Sequence, residues 1–160
     1  MVVAGTGRFN TGAMGPNIKH LKYQPNGEML FGGVVVANAY FGSTNLSATT
    51  YNNFPGNIFV LGKISTAGNP TVIRSFSNPV FSFDCITTDA AGNFYVGGGY
   101  STNTDFDFGN GVIIPGSDFN KAFIVKFAAD GDALWVKTFG MGVIGSGNPV
   151  NQVLRLAVSS

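Results

Sequence analysis

The sequence predicts an all-β chain of two tandem four-stranded antiparallel repeats. Three observations predict it. The chain is self-similar with a period of about 65 to 70 residues, glycine marks turns at matching places in each repeat, and no stretch of ten or more residues sustains a 3.6-residue apolar period. Leu21–Gly33 aligns with Ile86–Gly98 at an offset of 65. Val60–Gly68 aligns with Phe123–Gly131, and Val72–Phe76 with Trp135–Phe139, both at an offset of 63. Asn78–Val80 recurs as Asn148–Val150 at an offset of 70.

The elements follow in order. In the first repeat, strand Ile18–Tyr23 runs into the turn Pro25–Gly27, from which Glu28–Val36 returns. Asn57–Ser65 and Thr71–Phe76 flank the turn Thr66–Gly68. In the second repeat, Ser82–Thr88 and Asn93–Tyr100 flank Ala90–Gly92, and Ala122–Ala128 and Ala133–Phe139 flank Asp130–Gly131. Glycine in each turn supplies the positive φ that a tight hairpin needs. The longer stretches Ala37–Gly56 and Ser101–Lys121 read as loops joining the second strand to the third.

Tandem four-stranded antiparallel units are the blade pattern of β-propellers, which protect strand edges by radial arrangement. The expected fold is therefore two complete propeller-like blades with partial strands at both ends. Residues 1–16 read as part of a preceding repeat, 17–78 and 79–147 as the two blades, and 148–160 as the first strand of a third. Gln152–Ser159 resembles a first strand. Met1–Gly7 resembles a fourth-strand tail, with Val3, Gly7, Gly12 and Pro16 falling on Val136, Gly140, Gly145 and Pro149 at an offset of 133. Two blades cannot close a ring, and alone they leave apolar faces and open edges in water. Completion by copies of the chain, or by other subunits of an assembly, is the expectation.

Composition narrows the function classes. Gly is 23 of 160 residues and Phe 15, while charged residues are only 11%, against about 25% in an average globular chain. So many aromatics argue against disorder. Net charge is +1 with no basic run, which gives no electrostatic footprint for nucleic acid. Met1–Ala4, the longest apolar stretch near the start, is too short for a signal peptide or a membrane span. Cys85 is the sole cysteine, so no intrachain disulfide is expected.

The second repeat carries a family resemblance. Its residues run from Ile86–Gly98 through Thr104–Gly109, continue with Asp118–Gly131 and finish at Leu134–Gly140. In that order they resemble the bacterial β-propeller repeats of the SBBP type. The first repeat departs from the pattern: it has Leu30 and Phe31 for the aromatic pair, no acidic loop motif, and Pro70–Val72 where Trp would fall. The resemblance implies a propeller-like scaffold and no particular activity.

Candidate sites are few. Asp105, Asp107 and Asn110 alternate oxygen ligands around Gly109, the one hint of a Ca²⁺ site. The spacing misses the calcium-loop pattern, so turn-shaping is the stronger reading and no cofactor is expected. His20 is the only histidine, and no triad can be assembled around it. Cys85 has no basic neighbour to activate it and reads as a small buried hydrophobe. Glu28 is the only glutamate, and Asp84, Asp89, Asp130 and Asp132 fall at strand ends or turns. No enzyme is expected. Gly97–Gly99 precede no helix and read as relief of crowding between strands.

Aromatic and amide side chains remain as candidates for binding. Tyr51, Asn52, Asn53 and Phe54 cluster with Tyr40 and Phe41 in one long loop, with Tyr100 and Phe106 at the equivalent place in the second repeat. Aromatic faces and amides suit the C–H faces and hydroxyls of surface glycans. The leading expectation is a non-catalytic structural or interaction protein of a multimeric surface assembly. A bacteriophage virion component, of fibre or head-decoration type, is its specific form. A multivalent carbohydrate-binding propeller, or a slice of a larger secreted one, is the alternative. The expected location is a virion or an extracellular surface assembly, without membrane insertion.

Overall fold

The computed structural model describes residues 17–24, 26–36, 39–41, 43–46, 57–77, 81–102, 104–140 and 155–158. Among them there is no helix; every ladder is antiparallel, and the chain divides into two compact units, Met1–Pro79 and Val80–Ser160.

The first unit runs β1 (Asn17–Tyr23), β2 (Met29–Val36), β3 (Ala39–Phe41), β4 (Thr44–Leu46), β5 (Asn57–Ile64) and β6 (Pro70–Ser77). Its main sheet has the order β1-β2-β5-β6, a meander in which sequence neighbours pair, while β3 and β4 form a separate hairpin. The second unit repeats the plan with β7 (Phe81–Thr88), β8 (Phe94–Thr102), β9 (Phe106–Asp107), β10 (Ile113–Ile114), β11 (Ser117–Phe127) and β12 (Ala133–Phe139). Its sheet is β7-β8-β11-β12, with β9 and β10 as the inserted hairpin. The eight sheet strands stand where the repeat predicts them. The largest departure is β11, which starts at Ser117 rather than Ala122 and passes a register irregularity before Lys121.

Four turns share one geometry. In each, the residue closing the first strand donates its N–H to the carbonyl four residues on, and accepts from the glycine N–H three residues on. These pairs are Gln24/Glu28 with Gly27, Ser65/Asn69 with Gly68, Asp89/Asn93 with Gly92, and Ala128/Asp132 with Gly131. The glycines hold φ between 82° and 98°, in the left-handed region that a Cβ disfavours. The first strand of each unit is irregular at the same repeat position, between Ile18 and His20 and between Phe83 and Cys85. Close approach there explains Gly98: a Cβ would run into the Ser82 carbonyl oxygen.

The long inter-strand stretches are not featureless loops. The inserted hairpins turn apolar side chains onto one face of each sheet. In the first unit, Leu46 of β4 packs with Phe31, Val35, Ile58 and Val60, and Phe41 of β3 stacks on Phe31 with ring centroids 5.3 Å apart. In the second, Phe108 follows β9 and is fully buried 5.7 Å from Phe123 and 6.0 Å from Phe127, with Ile114 of β10 also buried. Each unit thereby encloses a small core of its own. Arg155–Val158, the described part of the expected third-repeat strand, form no ladder.

Candidate functional site

Four of the sequence-predicted binding residues, Tyr51, Asn52, Asn53 and Phe54, lie outside the described residues. Tyr100 corrects the expectation of an open aromatic platform. It is only 3% exposed, and its ring meets the Phe123 ring edge-on with centroids 6.2 Å apart. Burial pushes its phenol pKa up, and its hydroxyl is buried without a hydrogen-bond partner. The ring belongs to the core because the β8 register turns it to the Phe123 side of the sheet. Phe106 is half-buried against Phe108. Tyr40 is 63% exposed and pairs across the β3–β4 hairpin with the exposed Asn45.

Asp105, Asp107 and Asn110 shape the β9–β10 hairpin. Asp105 Oδ1 accepts the Gly116 N–H at 2.8 Å, and Asp107 Oδ1 accepts the Gly109 N–H at 2.7 Å. Asn110 holds φ 56° between two positive-φ glycines. No group of three or more His, Cys, Asp or Glu side chains able to hold a metal occurs among the described residues. Cys85 is buried, burial raises its thiol pKa, and its sulfur lies 3.8 Å from the Gly97 carbonyl oxygen. Such a thiol is protonated at neutral pH and inert. His20 Nε2 and Gln24 Nε2 are buried without a hydrogen-bond partner.

The acids do structural work, and one arrangement stands out. Asp89 Oδ1 accepts the N–H groups of Ala91 and Asn93 at 3.1 and 2.9 Å. Its Oδ2 accepts from Asn93 Nδ2 at 2.8 Å and the Tyr95 hydroxyl at 3.2 Å, and lies 3.3 Å from Lys126 Nζ. Lys126 also sits 4.9 Å from the Tyr95 ring centroid, and Trp135 meets that ring edge-on at 6.0 Å. The Asn93 side-chain amide does most to hold the Asp89 carboxyl down at a pKa of about 2, helped by the Asn93 N–H, Lys126 and Tyr95. Lys126 is raised, first by its hydrogen bond with Tyr95 and then by Asp89.

The first unit keeps only the acid–lysine contact of this knot, in a looser form, with the Gln24 amide nitrogen left unpartnered. Gln24 stands in the place of Asp89, Glu28 in the place of Asn93, and Lys63 in the place of Lys126. Glu28 Oε2 lies 4.0 Å from Lys63 Nζ and accepts from Asn26 Nδ2 at 2.8 Å. In the sequence Glu28 and Asp89 read only as residues at turns or strand ends, and Lys63 and Lys126 as strand residues. The matched offsets of 65 and 63 were the signal that joins them.

The knot lies on the sheet face opposite the inserted hairpin. In the second unit that face is lined by Tyr95, Ile124, Lys126, Trp135, Lys137 and Phe139, as the cross-strand partners Tyr95–Lys126–Trp135, Ile124–Lys137 and Ala122–Phe139 require. The first unit places Leu30, Leu61, Lys63, Arg74 and Phe76 at the positions of Tyr95, Ile124, Lys126, Lys137 and Phe139, and Phe59 at that of Ala122; a register irregularity sets Thr71 opposite Lys63, where Trp135 faces Lys126. The two faces differ in cover. Phe76 is 8% exposed, and Leu30, Phe59 and Leu61 are buried. Phe139 is 49% and Trp135 37% exposed, and Ile124 is half-buried. The contrast lies on the edge strand: the β12 side chains Trp135 and Phe139 are exposed, whereas Ala122, at the position of Phe59, is buried at 6%. Comparison with known protein families, with curated proteins and with solved structures returns no match.

Proposed function

We propose that the chain is a non-catalytic structural and interaction protein, made of propeller-type blades, that acts as a subunit of a multimeric surface assembly. The observation that carries this reading is the unequal exposure of equivalent residues: Phe76 is 8% exposed, while Phe139 at the same repeat position is 49% exposed, with Trp135 on the same strand at 37%. An apolar sheet face of this kind marks an interaction surface. The meander sheets and the resemblance of the second unit to SBBP-type propeller repeats support the blade reading. A bacteriophage virion component is the specific form we favour, supported by low charge and abundant glycine. Sedimentation of the purified chain at micromolar concentration is the test: a mass of several chains is expected, and a strict monomer at all concentrations sinks the reading. Detecting the chain in purified virus particles tests the specific form.

A second reading rests on Tyr40. Its exposed ring faces water beside the Asn45 amide on the partner strand, a pairing suited to stacking on a sugar ring and bonding to its hydroxyls. A glycan array checks this, with Tyr40→Ala expected to abolish any signal; retained signal in that variant removes Tyr40 from the site.

A further inference from the structure

The second unit carries two surfaces of opposite character on opposite sides of one sheet. On the open side, Trp135 and Phe139 supply apolar area and Lys137 an exposed positive charge, and Ala133–Phe139 contain no carboxylate. The Lys126 ammonium on that side is already matched by Asp89.

The other side is capped by the β9–β10 hairpin, whose Phe108 packs onto Phe123 and Phe127. The hairpin's Asp105 and Asp107 are exposed, and Asp107 pairs across the ladder with Ile113, itself 45% exposed. Residues Thr104–Gly116 include no Lys or Arg. So one side offers apolar surface with a cation, and the other offers apolar surface with two anions. This is the complementarity that steers and registers protein association. Because Phe123 and Phe127 alternate along β11 with Ile124 and Lys126, the two surfaces point away from each other and cannot meet within one unit.

Resting on the assembly reading above, we propose that the β8–β11–β12 face docks a second copy of this chain through the outer surface of that copy's β9–β10 hairpin. Copies then join head to tail, a heterologous contact that closes into a ring or continues as an array according to the rotation between copies.

Charge exchange tests the pairing on the full chain. Lys137→Glu alone, and Asp105→Lys with Asp107→Lys in a second chain, are each expected to weaken self-association about tenfold or more in sedimentation, by placing like charges together. An equimolar mixture of the two proteins is expected to recover the wild-type mass, since each variant's reversed surface then meets its complement. Variants that associate as the wild type does, or a mixture that stays as weak as its components, overturn the docking while leaving the assembly reading intact. A wild-type chain that is monomeric throughout overturns the assembly reading itself.

Discussion

At Asp89 the carboxylate gathers two backbone N–H groups, an amide, a phenol and an ammonium, and all of them favour its charged form. Its folded pKa of about 2 lies below the ordinary value of 3.8, so its contribution to stability is complete above the ordinary value and lost as pH falls toward 2. Asp89→Asn is therefore expected to lower the urea midpoint at neutral pH, with the gap to wild type closing between about pH 4 and pH 2. A gap independent of pH in that window contradicts the assignment. Little of this was legible in the sequence. Asp89 was readable as a turn residue beside Gly92, but Lys126 reaches it only because the ladder register sets it opposite Tyr95. Tyr100 shows the same limit. The repeat places it at the end of its strand, while only the register decides that its ring turns inward to Phe123.

At the scale of elements, the turns and the inserted hairpins behave differently. The four glycine turns follow from local chemistry and were readable residue by residue. Gly92→Ala is expected to cost about 1–2 kcal/mol in denaturant unfolding, the price of a Cβ in the left-handed region. There is room for the methyl, whose nearest neighbour would be Ala129 Cβ at 3.6 Å, so the cost is one of backbone conformation. The hairpin β9–β10 falls in a stretch that reads as loop, although Asn110 and Gly111 sit between the alternating Phe106 and Phe108 and the apolar pair Ile113–Ile114, an Asn-Gly turn signal. Its strands are two residues each, too short for periodicity to register. Tertiary packing gives them their weight. Phe108→Ala is expected to destabilise the chain by about 3–5 kcal/mol, as for other buried phenylalanines, whereas Ile113→Ala on the exposed side should stay within about 0.5 kcal/mol. Equal losses for the two would mean that the hairpin does not cap the core.

For the molecule as a whole, the repeat announced two equivalent sheets, and the structure gives them unequal surroundings. Sequence alone reveals the first because aligned residues adopt aligned strands. It hides the second because Phe76 and Phe139 are the same residue at the same repeat position, and only three-dimensional cover distinguishes 8% from 49% exposure. If the open face is filled by a second copy, the melting temperature should rise with protein concentration, as mass action requires. A melting temperature independent of concentration, for a chain that sediments as an oligomer, would mean that the copies part before the transition and that the contact adds nothing to the stability measured there.

Trp135 is the sole tryptophan of the chain, and it lies on the open face with its ring edge against Tyr95. The protein thus carries its one indole fluorophore at the place where its environment is expected to change. Selective excitation of that indole gives an optical signal from this face alone, without labelling. A blue shift in emission as concentration rises, with reduced quenching by added iodide, would report its transfer from water into a contact. A spectrum unchanged while mass increases would place the contact elsewhere on the chain.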